Sequence, residues 1–559
     1  MNRIHTALLL VGVAAIVTAC GGSSTSSPSP TTAAPGTDTT VSGGPGGAKK
    51  GGILLAGIPD NPDHLDPALS ATNEGWELME AMNNGLLTLR RTDGIAGSDV
   101  VPDLAVAMPK ISADGKTYVF TMRRGVMFSA PIKREVMPSD VKFSIERLFR
   151  VDSTGVTFYG GIVGADAYAK TRKGGISGII ANDATRTISF KLKERDGTFL
   201  DYLAVPYSFA LPKGTPDKDI STLPGSRVAT GPYMIKSYVP KQKLEIRRNP
   251  DFKQWTPNTP DGNIDGIDVS IGVTPAQAVN LTATGKLDWY FEPIAPDRYT
   301  ELKKRSPELV HDFVRGNTTF FVMNERKPPF DRLAVRQAVN FALDRSALVR
   351  IFGGQGTPTE NIIPPGMGGH VVHNLYPYDL AKAKALVKQS GTAGMKVEVW
   401  APTTDPDPKA AQYVAGVLKD LGYQTSVKTL NESVYWDLIA TQKGDPQISF
   451  DDWNQDYPEA QDFIDLQFNG EHIVETGNNV ISNSNVLAIN KAINVNKTLP
   501  LGAKRNAVWA SLDKRLMAED AGWAPFMHRQ IPKFVSPRVH GLVFNSSFYE
   551  LFPSMWLSK

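Results

Sequence analysis

The chain has 559 residues, 41% of them hydrophobic and 21% charged, with a formal net charge of +3. That composition describes a folded protein and excludes a disordered one, while 60 basic against 57 acidic residues leaves no basic excess for a nucleic-acid surface. The single cysteine, Cys20, excludes an internal disulfide and any zinc site that needs two thiolates.

Arg3 is followed by eleven apolar residues, Ala7 to Val17. A membrane span needs ~20 apolar residues, so this run reads as an export signal and not as an anchor helix. Val17-Thr18-Ala19-Cys20 then resembles a bacterial lipobox. The resemblance implies removal of a signal peptide, residues 1–19, and a diacylglyceryl group on Cys20. Two acyl chains give stable anchoring where one gives only marginal binding. Residues 21–50 are Gly, Ser, Thr, Pro or Ala at 26 of 30 positions. Such a segment buries too little apolar surface to offset its ordering entropy, so residues 20–50 read as the lipidated cysteine and a flexible tether.

From Gly51 the composition is that of a globular body. Residues 116–122, 186–192 and 244–247 carry strand-like alternation or β-branched and aromatic content. Residues 331–352 read as one helical region and residues 379–391 as another, with Asp379 as N-cap and Gly391 as its end. Residues 396–430 form the clearest unit. Val397 and Val399 alternate with polar neighbours, and Asp407-Pro408 looks like an N-cap followed by Pro in the first turn. Ala410, Val414, Val417, Leu418 and Leu421 then share one helical face, and Thr425, Val427 and Thr429 alternate again. Strand, helix, strand with short connections predicts a βαβ unit on a parallel sheet, so the fold class is α/β.

Motifs of catalysis are scarce. The sequence contains no G-x-S-x-G elbow, no H-E-x-x-H helix and no phosphate-binding loop. His370 and His373 form an H-x-x-H, but the flanking Pro and Gly residues predict a solvated loop and not a metal site. Residues 449–468 are acidic and aromatic. Within them Trp453, Asp456 and Tyr457 set a carboxylate between two large rings, a grouping able to hold a cation.

Short strings in a fixed order carry a further resemblance. They include Leu65-Asp66-Pro67, Asn84-Gly85-Leu86-Leu87, Val101-Pro102-Asp103-Leu104, Thr230-Gly231-Pro232-Tyr233, Arg248-Asn249-Pro250-Asp251, Pro328-Pro329-Phe330-Asp331 and Trp453-Asn454-Gln455-Asp456-Tyr457-Pro458. From about residue 51 to about 542 the chain resembles the family-5 extracellular solute-binding proteins of ABC importers, which take oligopeptides, dipeptides or nickel. The resemblance implies a two-lobed periplasmic-binding-protein-like fold, type II, large cluster C, with an extra inserted subdomain. Lobe I is expected at 51–317 plus 524–559, with the subdomain near 96–220, and lobe II at 318–523. Hinge strands are expected to cross near 317–321 and 523–530.

The same resemblance implies that Asp456 binds a ligand α-amino group. Trp453, Asn454 and Tyr457 would line the cleft, and Ala71, Thr72 and Asn73 would meet the ligand from the other lobe. The loop 401–406 lacks the arginine with which dipeptide binders hold the ligand carboxylate. The implied function is capture of peptides by a lipid-anchored, monomeric, non-enzymatic receptor on the outer face of the cell membrane. Its partners would be the ligand, the permease subunits with their cytoplasmic ATPases, and the membrane itself. It would use no cofactor, metal or nucleic acid. A nickel chelate, sugar or polyamine receptor is the alternative, and a secreted hydrolase a more distant one.

Overall fold

The pattern at residues 396–430 folds as its spacing predicts. In the computed structural model, which describes residues 47–559 apart from Pro224, Ser226, Asp445 and Ser546, strand Lys396–Pro402 runs parallel to strand Gln424–Leu430. Helix Asp407–Asp420 connects them and buries Ala410, Val414, Val417 and Leu418. It starts one residue earlier than expected, with Pro406 as cap and Asp407 as its first residue. Asp379 caps helix Leu380–Ser390 by accepting from the Lys382 amide at 2.8 Å, and Gly391 ends it with a left-handed φ of 68°. The signal peptide, Cys20 and nearly all of the tether lie outside the described residues.

The single helical region expected over residues 331–352 is in fact two helices, Leu333–Ala342 and Arg345–Ile351. Leu343 is extended between them, and the Asp344 carboxylate caps the second by accepting from the Ala347 amide at 3.0 Å. Apolar residues continue on both sides of the break, which conceals it from periodicity alone.

These elements belong to a seven-stranded mixed sheet. Its order is Val310–Val314, Trp523–Phe534, Asn317–Met323, Ile448–Asn454, Lys396–Pro402 and Gln424–Leu430, with Gly356–Pro358 paired to the Trp523–Phe534 strand. A five-stranded sheet runs Trp289–Tyr290, Ile53–Ile58, Gly266–Ile271, Lys243–Arg248 and Tyr233–Val239. A four-stranded antiparallel sheet contains Thr117–Thr121 and Thr187–Lys191, the strands predicted at 116–122 and 186–192.

Each sheet has its own core. Phe321, Val339, Val399, Val414 and Phe450 pack against the seven-stranded sheet. Leu54, Ile246, Ile267 and Trp289 pack against the five-stranded sheet, together with Phe552, Met555 and Leu557 from the end of the chain. Phe120, Ile145, Phe190 and Phe199 belong to the core of the four-stranded sheet. The fold is therefore two-lobed α/β, and the four-stranded sheet has a core of its own. The chain passes from the five-stranded to the seven-stranded sheet at Val310–Val314 and Asn317–Met323. It returns along Trp523–Phe534, after which Val535, Val539 and Phe552 rejoin the five-stranded sheet's core.

A buried ion pair fixes the segment that precedes the first-lobe wall of the cleft. Arg147 meets both oxygens of Asp66, at 2.8 and 2.7 Å, and neither side chain reaches solvent. Arg147 also donates to the carbonyls of Pro216 and Lys218, so each of its three nitrogens is hydrogen-bonded.

Candidate functional site

Strand Ile448–Asn454 lies against Asn317–Met323 with Asn317 opposite Asn454 and Thr318 opposite Trp453. The Asn317 amide donates to the Asn454 side-chain oxygen at 2.9 Å and to the Trp453 carbonyl at 3.1 Å. The chain leaves the sheet at this point, and the turn that follows carries Asp456.

Asp462, in the first turn of helix Gln461–Phe468, shapes that turn. Its Oδ2 accepts from the Trp453 indole at 3.2 Å and from the Asp456 amide at 2.9 Å. Asp462 is fully buried, and burial together with the charge of Asp456 pushes its pKa well above the usual carboxylate range. Asp456 itself reaches solvent, yet protein surrounds its carboxylate closely enough that burial raises its pKa to about 6.

The segment expected to face it from the first lobe is a second braced turn. Asp63 accepts from the amides of Ala71 (2.7 Å) and Thr72 (3.2 Å) and from the hydroxyls of Ser70 and Thr72 (both 2.9 Å). Thr72 in turn caps helix Asn73–Glu80 by accepting from the Gly75 amide. Trp76 donates its indole N–H to the Ser70 carbonyl and sets its ring edge-on to Tyr207, 5.5 Å between centroids. Burial raises the pKa of the Tyr207 hydroxyl, and the charges of Asp456 and Asp63 add to the rise. Beside this wall, burial together with the charge of the nearby Glu74 carboxylate raises the Glu292 pKa to about 7.

The expected site residues thus separate into three groups. Trp453, Asn454 and Asp456 stand on one turn of the second lobe, and Ala71 and Thr72 on a braced turn of the first. The side chain of Asn73 is outside what the structure describes, as is Cys20. Tyr457 departs from the expectation: only 2% exposed, its ring is not an open wall of the cleft. It packs edge-on against Tyr202 and Phe158, at 5.2 and 6.0 Å, so the pair of rings expected to flank Asp456 is not formed. The buried aromatic cluster outcompetes solvent or ligand for so large an apolar ring. Asp63, Asp462, Trp76 and Tyr207 were not singled out from the sequence. Asp462 lies within the acidic segment that was, and Asp63 just before Leu65-Asp66-Pro67, but only the fold shows whose amides they accept.

His370 and His373 also differ from expectation. His373 is not solvated: it lies between Glu360 (3.0 Å) and Asp513 (3.3 Å) with 7% of its side chain exposed. Burial alone would lower its pKa, but hydrogen bonds to Asp513 and Glu360 outweigh that and raise it to about 9. Among the described residues, no three His, Cys, Asp or Glu side chains form a metal-ligating group.

Comparison with known proteins places this geometry in a family. The model for bacterial extracellular solute-binding proteins, family 5 Middle, matches residues 99–474, more than half of the chain. The di/tripeptide-binding protein 1 of Pseudomonas aeruginosa is 26% identical over 429 residues, covering 70% of this chain and 76% of that protein. The dipeptide-binding protein of Escherichia coli is 27% identical over 439 residues, covering 73% and 77%. Among solved structures, the clavulanic acid biosynthesis oligopeptide binding protein 2 superposes with a TM-score of 0.84 at 22% identity, over 91% of this chain and 96% of that one.

The bracing by Asp462 is testable. Asp462→Ala leaves two donors without an acceptor and should cost about 1–3 kcal/mol for each buried donor so stranded. Asp462→Asn keeps one acceptor oxygen and should lose much less. Urea denaturation of the two variants checks this, and equal losses would remove the bracing role.

Proposed function

The chain belongs to the family-5 extracellular solute-binding proteins, and we propose that it is a lipid-anchored receptor that captures peptides and delivers them to an ABC permease. It is an extracytoplasmic binding protein and not an enzyme. The observation that carries the peptide reading is the Asp456 carboxylate, open to solvent on a turn whose backbone is held by Asp462. A peptide α-ammonium is the natural partner for such a group, through a charge-assisted hydrogen bond. Trp453 and Asn454 would border the peptide from the same side, and Ala71, Thr72 and Asn73 from the other lobe.

We place lobe I at 51–317 plus 524–559, with its subdomain near 96–220, and lobe II at 318–523. Ligand contacts to both lobes would favour closure about the crossing strands, and the closed form would dock on the permease as a monomer. The similarity to peptide-binding relatives supports this cargo. Cys20, at the end of a lipobox-like string, supports the anchor. A second reading, a polyamine or other organic cation, draws on the Glu74–Glu292 pair beside the same wall.

Thermal unfolding with peptide pools of two to eight residues, free or N-acetylated, tests the function. A ligand at a hundred times its Kd should add ~2.7 kcal/mol of stability. Free peptides should raise the Tm, while N-acetylated peptides, or free peptides with Asp456→Ala, should not. A rise with spermidine alone would replace the peptide reading with the second one, and no rise with either would end both.

The anchor has its own test in cells. The wild-type chain should sediment with membranes and carry acyl groups, and Cys20→Ser should be released. A Cys20→Ser chain that stays with the membrane would overturn the lipid anchor.

A further inference from the structure

The second lobe contains a cavity of about 460 Å³ bordered by residues 343–346, 357–361, 365, 370, 372–374, 376, 378 and His528. None of them comes from the first-lobe wall or from the turn that carries Asp456. Two histidines meet there. The His370 and His528 rings stand edge to face, with centroids 5.8 Å apart and planes at 76°.

The hydrogen bonds fix which nitrogen of each ring is available. His528 lies on the Trp523–Phe534 strand and is 2% exposed. Its Nδ1 is 3.1 Å from the Asn317 carbonyl and 3.2 Å from the Thr318 hydroxyl. A carbonyl oxygen can only accept, so Nδ1 carries the proton and Nε2 is a bare lone pair. That Nε2 is buried and has no hydrogen-bond partner. His370 follows the same plan: its Nδ1 is 2.7 Å from the Ile363 carbonyl, which leaves Nε2 as the nitrogen free to bind. In sequence His370 pairs with His373, but in the fold His373 is committed to Glu360 and Asp513 and His370 is given His528 instead.

Imidazoles whose Nδ1–H is tied to a backbone carbonyl, with a bare Nε2 turned elsewhere, are how proteins present histidine to transition metals. Two charged groups of the cavity, Glu360 and Arg345, are already engaged. Glu360 accepts from His373 and the amides of Leu375 and Tyr376. Arg345 donates to the carbonyls of Thr359 and Pro525. Two imidazole nitrogens are therefore available from the protein, and the cavity has room for water beside them.

We propose that His370 and His528 bind a borderline transition-metal cation, of the zinc, nickel or copper class, through their Nε2 atoms at this cavity. The site does not depend on the peptide reading, because it shares no residue with the Asp456 turn.

Calorimetric titration of the full chain with Zn²⁺ or Ni²⁺, after stripping with chelator, tests this. One ion should bind per chain, at least about tenfold more weakly to His370→Ala and His528→Gln. His472→Ala, a control away from the cavity, should leave the affinity unchanged. Cobalt in place of zinc gives a second readout, since its absorption bands should change when either histidine is removed. If His528→Gln fails to fold, His370→Ala decides alone, because that ring is only half-buried. No binding, or binding that His370→Ala leaves intact, overturns the proposal.

Discussion

The cleft depends on one strand pairing. Asn317–Met323 is central to the seven-stranded sheet, and it is also where the chain passes into that sheet from the five-stranded one. Its register against Ile448–Asn454 sets Asn317 opposite Asn454, so the chain leaves the sheet just before Gln455. A slip of one residue would turn Trp453 to the other face of the sheet and away from Asp462. The buried Asp462 carboxyl converts that register into a defined turn, and the turn decides where the Asp456 carboxylate stands.

The same turn is gripped on both sides by the first lobe. Gln455 donates to the Ser547 hydroxyl, and Tyr457 is enclosed by Tyr202 and Phe158. Nearby, Arg505 is fully buried yet has no unpaired donor to explain. It bridges Glu459 at 2.9 and 3.0 Å, Gln461 and the Thr198 hydroxyl at 2.7 Å each, and two backbone carbonyls. A buried charge is tolerable only when bonded this completely. Thr198 precedes Phe199 of the four-stranded sheet's core, so these contacts tie that core to the Glu459–Gln461 segment. Asp456 is left as the exposed carboxylate between two anchored neighbours.

Much of this was legible in the sequence, but only where the information is local. The 396–430 unit shows its period, its turn residues and its cap within 35 residues. The order of short strings carried the family. What escaped depends on distant partners. Tyr457 read as an open ring because Tyr202 and Phe158 are remote in sequence. His373 read as solvated because Glu360 and Asp513 are not its neighbours in the chain. The break at Leu343–Asp344 was hidden by apolar residues that continue past it, although the Asp that caps the second helix was in plain view.

The central claim is that an ionised Asp456 pairs with the ligand's amine. Its pKa of about 6 makes this measurable. Pairing needs the carboxylate, so affinity must rise as pH climbs through the pKa and level off above it. Calorimetry of a free tripeptide should give binding roughly tenfold weaker at pH 5 than at pH 7, with Asp456→Asn weak at both. A wild-type affinity that is flat between those values, or an Asp456→Asn variant that keeps both the affinity and the slope, would contradict the account.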